Sequence, residues 1–350
     1  MFCHKLLTLL ASATLCHSLA SPRSAQPCFP YGTAALPKDL SRPDIRLEDW
    51  WCPQSMAYGF QGFSYPLEEA NCASPVNSFE SMNADFTRMK RDFGASIVRL
   101  YYPVCLNASV FENVLKAGVA NDMAVIFQVW TDFGESDQWK QSQQAIYDVL
   151  ESSEFGPIAP YVVHSADFGS EPITDGMDGG GEQFIADLAL FREKLNGYGI
   201  PAGISETWDM PGRMSSEDGS ELGEIGAAVA ANSDYCHAHI MPYYHNKIPV
   251  SGAWDYIQEQ MEWLQVEVQL PLMITETQWA WGPNTHNSGR PDVGIAQYAA
   301  FWKRYDDECE TFKQFNVGWF LHTWSGEGTF DIMYEHNASC VMPYWRPRTC

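Results

Sequence analysis

The chain has 350 residues, of which 45% are hydrophobic and 19% charged, so it can bury a sizeable core and is not globally disordered. The 44 acidic residues outnumber the 21 basic ones and give a net charge of −23. So acidic a surface repels phosphate backbones and anionic lipid, which argues against nucleic-acid and electrostatic membrane binding.

In chain order, residues 1–20 read as a secretory signal peptide. A short polar start (His4, Lys5) precedes an apolar run from Leu6 to Leu15 and the small residues Ser18 and Ala20. The run is too short to span a bilayer, and no later stretch approaches the ~20 apolar residues of a transmembrane helix. The polar C-terminus, Trp345 to Cys350, carries no GPI-type signal. Secretion without a membrane anchor is therefore expected. Residues 21–50 read as a lead-in, 51–330 as one barrel domain and 331–350 as a C-terminal extension held by Cys340 and Cys350.

Within 51–330, short apolar runs start near Met56, Ile97, Ala124, Tyr161, Ile200, Tyr235, Leu272 and Val317. Each interval is long enough for a strand, a helix and two loops. Near-continuous apolar strands, rather than alternating ones, indicate a parallel sheet covered on both faces. The intervening segments have helical periodicity. Phe79, Met82, Phe86, Met89 and Phe93 share a face, with Asn77 and Glu80 as a capping pair and Gly94 as the stop. Phe184, Leu188, Phe191 and Leu195 repeat the pattern up to Gly197, as do Trp254, Ile257, Met261 and Leu264. Eight β-then-α units of this size predict a (β/α)8 TIM barrel. A doubly wound sheet would show a glycine-rich phosphate turn after its first strand, and none is there.

Ten cysteines are present, and removal of Cys3 and Cys16 with the signal leaves eight. An even number in an exported chain predicts up to four disulfides, with 105 possible pairings among which spacing does not choose. Cys236, inside an apolar run, is the alternative: a buried free thiol. Asn107-Ala-Ser109 and Asn337-Ala-Ser339 are N-glycosylation sequons.

Barrel chemistry sits at the C-terminal ends of the strands. The residues following the runs include Trp130 and Asp132, Ser170 and Glu171, Glu206, His239 to Tyr244, Glu276 to Trp279, and His322 to Glu327. Carboxylates and aromatics dominate, as glycoside cleavage requires: two acids flank the bond and flat rings meet sugar faces. Glu171 follows the fourth run and Glu276 the seventh, an arrangement that resembles the catalytic pair of the retaining barrel glycosidases. Asp132, Glu206 and Glu327 either bind substrate, hold that pair, or are ordinary loop acids. Tyr101, Trp130, Tyr243, Tyr244, Trp279 and Trp324 either line the cleft or pack the barrel mouth. His237 and His239 share a strand face, but no third ligand follows at a telling spacing, so no metal is expected. Arg99, inside an apolar run, is expected to be a barrel-bottom or site-orienting charge paired with a carboxylate.

Ile274-Thr-Glu276-Thr-Gln-Trp279 resembles the Glu-Thr-Gly-Trp-Pro nucleophile motif of glycoside hydrolase family 17, the β-1,3-glucanases of plants and fungi. Val98-Arg-Leu-Tyr101 is similar to that family's second-strand motif and Met241-Pro-Tyr-Tyr244 to its sixth-strand segment. The resemblance implies a retaining endo-β-1,3-glucanase with Glu276 as nucleophile and Glu171 as acid/base, the two carboxyl groups roughly 5 Å apart. It also implies a polysaccharide partner, β-glucan of the cell wall, and no cofactor; a monomer is expected. Substrate-binding positions are Ser170, Tyr101, Trp130, Tyr243, Trp279 and Trp324. Ser170 stands where the family has an asparagine that contacts the sugar 2-hydroxyl, His239 where asparagine is usual, and Gln278 and Ala280 where glycine and proline are. Two alternatives share the barrel: a glucan-remodelling transglycosylase, and a wall glycan-binding protein with little turnover.

Overall fold

The computed structural model describes residues 26–134, 136–245, 247–283, 289–334 and 339–347. The expected signal peptide, the Asn337 sequon and Cys350 lie outside them. The eight apolar runs form parallel strands β1 (Gly59–Pro66), β2 (Ile97–Tyr101), β3 (Ala124–Gln128), β4 (Val163–Ser170), β5 (Ala202–Glu206), β6 (Cys236–His239), β7 (Leu272–Glu276) and β8 (Gly318–Leu321). They close into a barrel in sequence order, with β8 paired to β1 through Gly59 and Gly318. The helices are α1 (Leu47–Trp50), α2 (Phe79–Arg88), α3 (Ala108–Asn121), α4 (Gln138–Glu151), α5 (Ala159–Val162), α6 (Gly181–Gly197), α7 (Glu224–Ala231), α8 (Ala253–Glu267), α9 (Ile295–Asp307) and α10 (Cys309–Phe315). The fold is the expected (β/α)8 TIM barrel.

Two strands start later than the apolar runs suggest. Before β1, Gln54–Met56 form a 3-10 turn whose Gln54 amide donates to the Asn316 carbonyl at 3.1 Å. Before β4, Pro160 sits in the first turn of the short α5, so Tyr161 is helical and the strand begins at Val163. The cap of α2 is Ser78 rather than Asn77: Ser81 N–H donates to Ser78 Oγ at 3.3 Å. The Asn77 amide is engaged by the carbonyls of Glu69 and Asn71, at 2.8 and 3.1 Å. The helical face from Phe79 continues through Met89–Phe93 as a π-helical turn and stops at Gly94, whose φ of 74° suits glycine.

Aromatic packing joins the layers. Trp319 of β8 stacks on Trp302 of α9 with centroids 5.7 Å apart, and Phe168 of β4 meets Phe184 and Phe191 of α6 at 5.5 and 5.0 Å. Such pairs are worth about 0.5–1.5 kcal/mol beyond the area they bury. At Gly62, any Cβ would lie 1.9 Å from the Ile97 carbonyl oxygen, so the close β1–β2 approach requires glycine.

The lead-in folds across the N-terminal end of the barrel. Trp50 is buried there and donates from Nε1 to the Tyr161 carbonyl at 2.8 Å. Cys28–Cys52 closes this segment. Cys72–Cys105 joins the loop after β1 to the loop after β2 at the opposite end, and Cys309 is also disulfide-bonded. A full set of four disulfides is not present, because Cys236 and Cys340 are free. Cys236 is buried, with its thiol free. Cys340 therefore does not hold the C-terminal extension. A short hairpin of β9 (Met333–Tyr334) and β10 (Ser339–Cys340) does so, with Trp345 Nε1 donating to Asp306 Oδ2 at 2.7 Å. Iodoacetamide on native protein is expected to label Cys340 and to reach Cys236 only in denaturant, as read by peptide mass spectrometry. Native labelling of Cys236 would contradict its burial.

Candidate active site

The inward positions near the C-terminal ends of the strands are polar, and they build one connected network. Arg99 of β2 is fully buried at its centre. Its Nη1 donates to Ser64 Oγ at 3.3 Å and to Glu276 Oε2 at 3.4 Å. Its Nη2 donates to Ser170 Oγ at 3.0 Å and Ser205 Oγ at 3.1 Å, and lies 3.3 Å from His239 Nε2. Arg99 thus ties together residues from β1, β4, β5, β6 and β7. A buried guanidinium is tolerable only with such pairing.

Local backbone features aim Glu171. The β4–β5 register shifts between Asp167 and Ser170. Gly169 takes φ 97°, where an added Cβ would stand 2.8 Å from the Phe133 ring. Glu171 itself has φ 51°, a conformation that costs a non-glycine residue about 1–3 kcal/mol. Its N–H donates to the Ser205 carbonyl at 2.8 Å, and Thr207 Oγ1 donates to its Oε1 at 2.5 Å. Glu276 ends β7 and is buried.

One oxygen of Glu171, one of Glu276 and a ring nitrogen of His239 lie within 4.8 Å of one another. The two carboxylates expected from the sequence therefore face each other across the mouth of the barrel. Glu171, Glu276 and His239 have the spacing of a cation site, and the Arg99 guanidinium, 3.4 Å from Glu276 Oε2, is the cation that pairs with this cluster.

The electrostatics differ from group to group. Burial alone would push the Glu276 carboxyl up; the His322 and His239 imidazoles and the Arg99 guanidinium more than reverse this and hold it below the usual carboxylate range. Burial lowers His322 to about 4, so its charge supports Glu276 only in the acid range and its ring is neutral near pH 7, where Arg99 and His239 remain. Glu206 is pushed up to about 7 by burial and by Glu171, and it accepts from the N–H groups of Ile173, Thr174 and Thr207 at 3.0, 3.3 and 2.8 Å. It thus holds the loop after β4 beside Glu171. Burial and the neighbouring Glu68 carboxyl push Glu327 up. Asp132 is half-buried on the loop after β3 and accepts from Gly134 N–H at 3.2 Å.

The aromatic expectations divide. Tyr101 is half-buried beside the pair, its ring 4.9 Å from His322 and 5.3 Å from the Arg99 guanidinium carbon. Trp130 is half-buried, its ring 4.5 Å from that of Tyr102, and its Nε1 has no partner. Tyr243, Trp279 and Trp324 are each 0% exposed, so none of their faces is open to a sugar. Arg290 lies 4.4 Å over Trp279, Phe330 packs 5.1 Å from Tyr243, and Phe63 packs 5.1 Å from Trp324. These three are packing residues of the barrel mouth. Tyr244, 39% exposed and hydrogen-bonded to the Gln278 amide at 3.1 Å, presents its ring instead.

His237 and His239 share the inward face, as alternation predicts, but serve different partners: His237 Nδ1 is 2.8 Å from Asp167 Oδ1. In the sequence, Ser205 and Thr207 are only polar residues at the end of the fifth run. Their contacts to Glu171, Arg99 and His239 arise from the β4 bulge, which no spacing rule exposes.

The sequence matches the BtgE/BtgC glycoside hydrolase domain over residues 62–335. No curated protein matches the chain. Among solved structures, an active-site mutant of Rhizomucor miehei β-1,3-glucanosyltransferase in complex with laminaritriose is similar at 16% identity, covering 79% of this chain and 94% of that chain with a TM-score of 0.60. The glycoside hydrolase family 17 β-1,3-glucanosyltransferase structure from the same organism aligns at 16% identity over 78% and 92%, TM-score 0.58. An endo-laminarinase from Formosa Hel1_33_131 aligns at 14% over 78% and 81%, TM-score 0.55. At these identities the likeness is one of fold.

Proposed function

Because the chain belongs to the BtgE/BtgC glycoside hydrolase family, we propose that it is a secreted retaining glycosidase that cleaves β-glucan, with a β-1,3-linked backbone cut internally. The observation that carries this is that one oxygen of Glu171 and one of Glu276 lie within 4.8 Å of each other, which favours the closely spaced retaining arrangement over the ~6.5–9.5 Å separation that leaves an inverting pair room for a water.

Glu276, ionised beside Arg99, attacks the anomeric carbon. The bond to the leaving oxygen breaks as Glu171 gives that oxygen a proton. The resulting glycosyl ester on Glu276 is hydrolysed when Glu171 takes a proton from water and the hydroxide attacks the same carbon. Glu276 leaves as a carboxylate, and the configuration is retained. Tyr101 and Trp130 contact the sugar chain. Ser170 reaches the sugar ring from beside Glu171, with its hydroxyl oriented by Arg99.

The test is to incubate the mature chain with β-1,3-, β-1,6- and mixed-linkage glucans, xylan and mannan, following reducing ends and product lengths. Reducing ends from the β-1,3 backbone, as a ladder of oligosaccharides, are expected. Products longer than the donor would assign the protein to transglycosylation, and binding without release would contradict turnover.

A further inference from the structure

His239 ends β6 with its ring fully buried between the two carboxylates. On one side, Nε2 lies 2.7 Å from Ser205 Oγ. Ser205 Oγ lies 2.7 Å from Thr275 Oγ1, which in turn lies 3.5 Å from the Ala238 carbonyl. On the other side, Nδ1 is 3.3 Å from Glu171 Oε1 and 3.7 Å from Glu276 Oε2, with no aligned hydrogen-bond partner of its own.

The two hydroxyls suit this ring in either protonation state. A serine or threonine hydroxyl rotates to donate or accept as its neighbour requires. With the ring neutral, Nδ1 having given up its hydrogen, Nε2 keeps the remaining one and donates it to Ser205, and Nδ1 accepts from Glu171. With the ring charged, Nε2 donates to Ser205, Ser205 to Thr275, and Thr275 to the Ala238 carbonyl. Both protonation states are satisfied without moving a heavy atom. Arg99 remains compatible with each, because its Nη2 hydrogens already go to Ser170 and Ser205.

We propose that His239 and Glu171 share the proton used in catalysis, passing it between Nδ1 and Oε1 across 3.3 Å. Resting on the reading of Glu171 as acid/base, this makes His239 a positioning residue that stores the proton. In the transfer, the N–H bond breaks with its electron pair left on Nδ1, and an O–H bond forms at Oε1. The zwitterion becomes a neutral pair, so charge is conserved and no other reactant is needed. After Glu171 gives that proton to the leaving group, Nδ1 is left without a hydrogen, and the proton that Glu171 later draws from water can return to it.

The surrounding charges favour this sharing. Burial opposes a charged ring, but Glu276 and Glu171 outweigh it and raise His239 above its ordinary value despite Arg99. Asp175 on the loop after β4 and Glu206 at the end of β5, raised to about 6 and about 7, add negative charge as they ionise. His322, after β8, is neutral above about pH 4 and leaves the balance to the others. The His239 imidazolium then holds the shared proton to a higher pH than an isolated imidazole would.

The decisive experiment is nitrogen NMR of the imidazoles across pH in the whole mature chain, with and without Glu171→Gln. The variant is isosteric at a half-buried position, and the readout needs no turnover. His239 is expected to titrate about one pH unit lower in the variant; an unchanged titration would overturn the proposal. Kinetics supply the second arm. His239→Asn, or His239→Gln where Asn does not fold, is expected to move the basic limb of kcat/KM on glucan about one unit toward acid. A uniform loss of activity with the limb unmoved would contradict proton sharing. If no glucan is cleaved by the parent protein, the glucanase reading fails while the NMR arm still decides the proton's location.

Discussion

Replacing Glu276 with glycine is expected to lower kcat/KM on β-1,3-glucan about 10⁴-fold or more, equivalent to roughly 5.5 kcal/mol of lost transition-state stabilisation. The loss is large because the variant has no carboxylate at the position that attacks the anomeric carbon. Glu171 approaches from the other side, held by Thr207 and by its own left-handed backbone. The variant also creates a cavity, which makes the prediction sharper. Azide, small enough to enter it, should restore cleavage of an activated aryl glycoside and yield the α-glycosyl azide, since it attacks from the face that Glu276 leaves. The same rescue of Glu171→Gly should yield the β-azide, because there the ester on Glu276 still forms first and is then displaced. Product anomers read by proton NMR distinguish the two roles. Rescue of Glu276→Gly with the β-anomer would assign the nucleophile elsewhere.

Arg99→Met carries the second-largest expected effect, on stability and on pH dependence together. Arg99 is buried under Glu276 and joins five strands of the network. Removing one partner of a buried ionic cluster costs about 3–5 kcal/mol, because the remaining charge keeps its desolvation cost. For a domain of this size, roughly 2 °C of Tm per kcal/mol converts that to a fall of about 6–10 °C. The sign with pH follows from Glu276, whose carboxyl is held down in the folded state. Its pairing stabilises the fold at pH above the ordinary carboxylate value of about 4.3 and is lost as pH falls through the lower folded value. The Tm difference between parent and variant should therefore be full near pH 6 and shrink toward pH 2. In activity, Glu276 must be ionised to attack, so losing Arg99 should move the acid limb of kcat/KM toward higher pH. A variant with parental Tm and an unmoved acid limb would show that Arg99 does not support Glu276.

What was legible in the sequence depended on how locally each feature is encoded. Apolar runs such as Ala124–Gln128 and Leu272–Glu276 carry their own strand signal, and the residues just beyond them fall at the catalytic face by topology alone. Hence Glu171 and Glu276 could be placed together from the sequence, whereas Arg99 read only as a charge paired with a carboxylate at either the bottom of the barrel or the site. The starts of β1 and β4 were misjudged, because a 3-10 turn held by Gln54 and a helical turn opened by Pro160 interrupt apolar sequence. The aromatic residues show a different limit. Composition says that Tyr243, Trp279 and Trp324 are available near the mouth, but not which faces are covered. Arg290 comes from a loop beyond β7 to cap Trp279. Phe330 arrives after β8 to cap Tyr243. Cysteine pairing was equally silent, since two thiols remain free and an even count suggested otherwise. Thr207, whose hydroxyl is 2.5 Å from Glu171, follows its strand like any other polar residue and owes its place to the bulge in β4.

The most direct test of the two-glutamate site is covalent trapping. A laminari-oligosaccharide bearing fluorine at C2 and a dinitrophenyl leaving group should form the ester readily and hydrolyse it slowly, because the fluorine disfavours positive charge at the reacting carbon. Mass spectrometry of the digested protein is expected to find the sugar on the peptide containing Glu276, at that residue. A label on any other carboxylate would contradict the assignment, as would steady release of an α-configured product with no label at all.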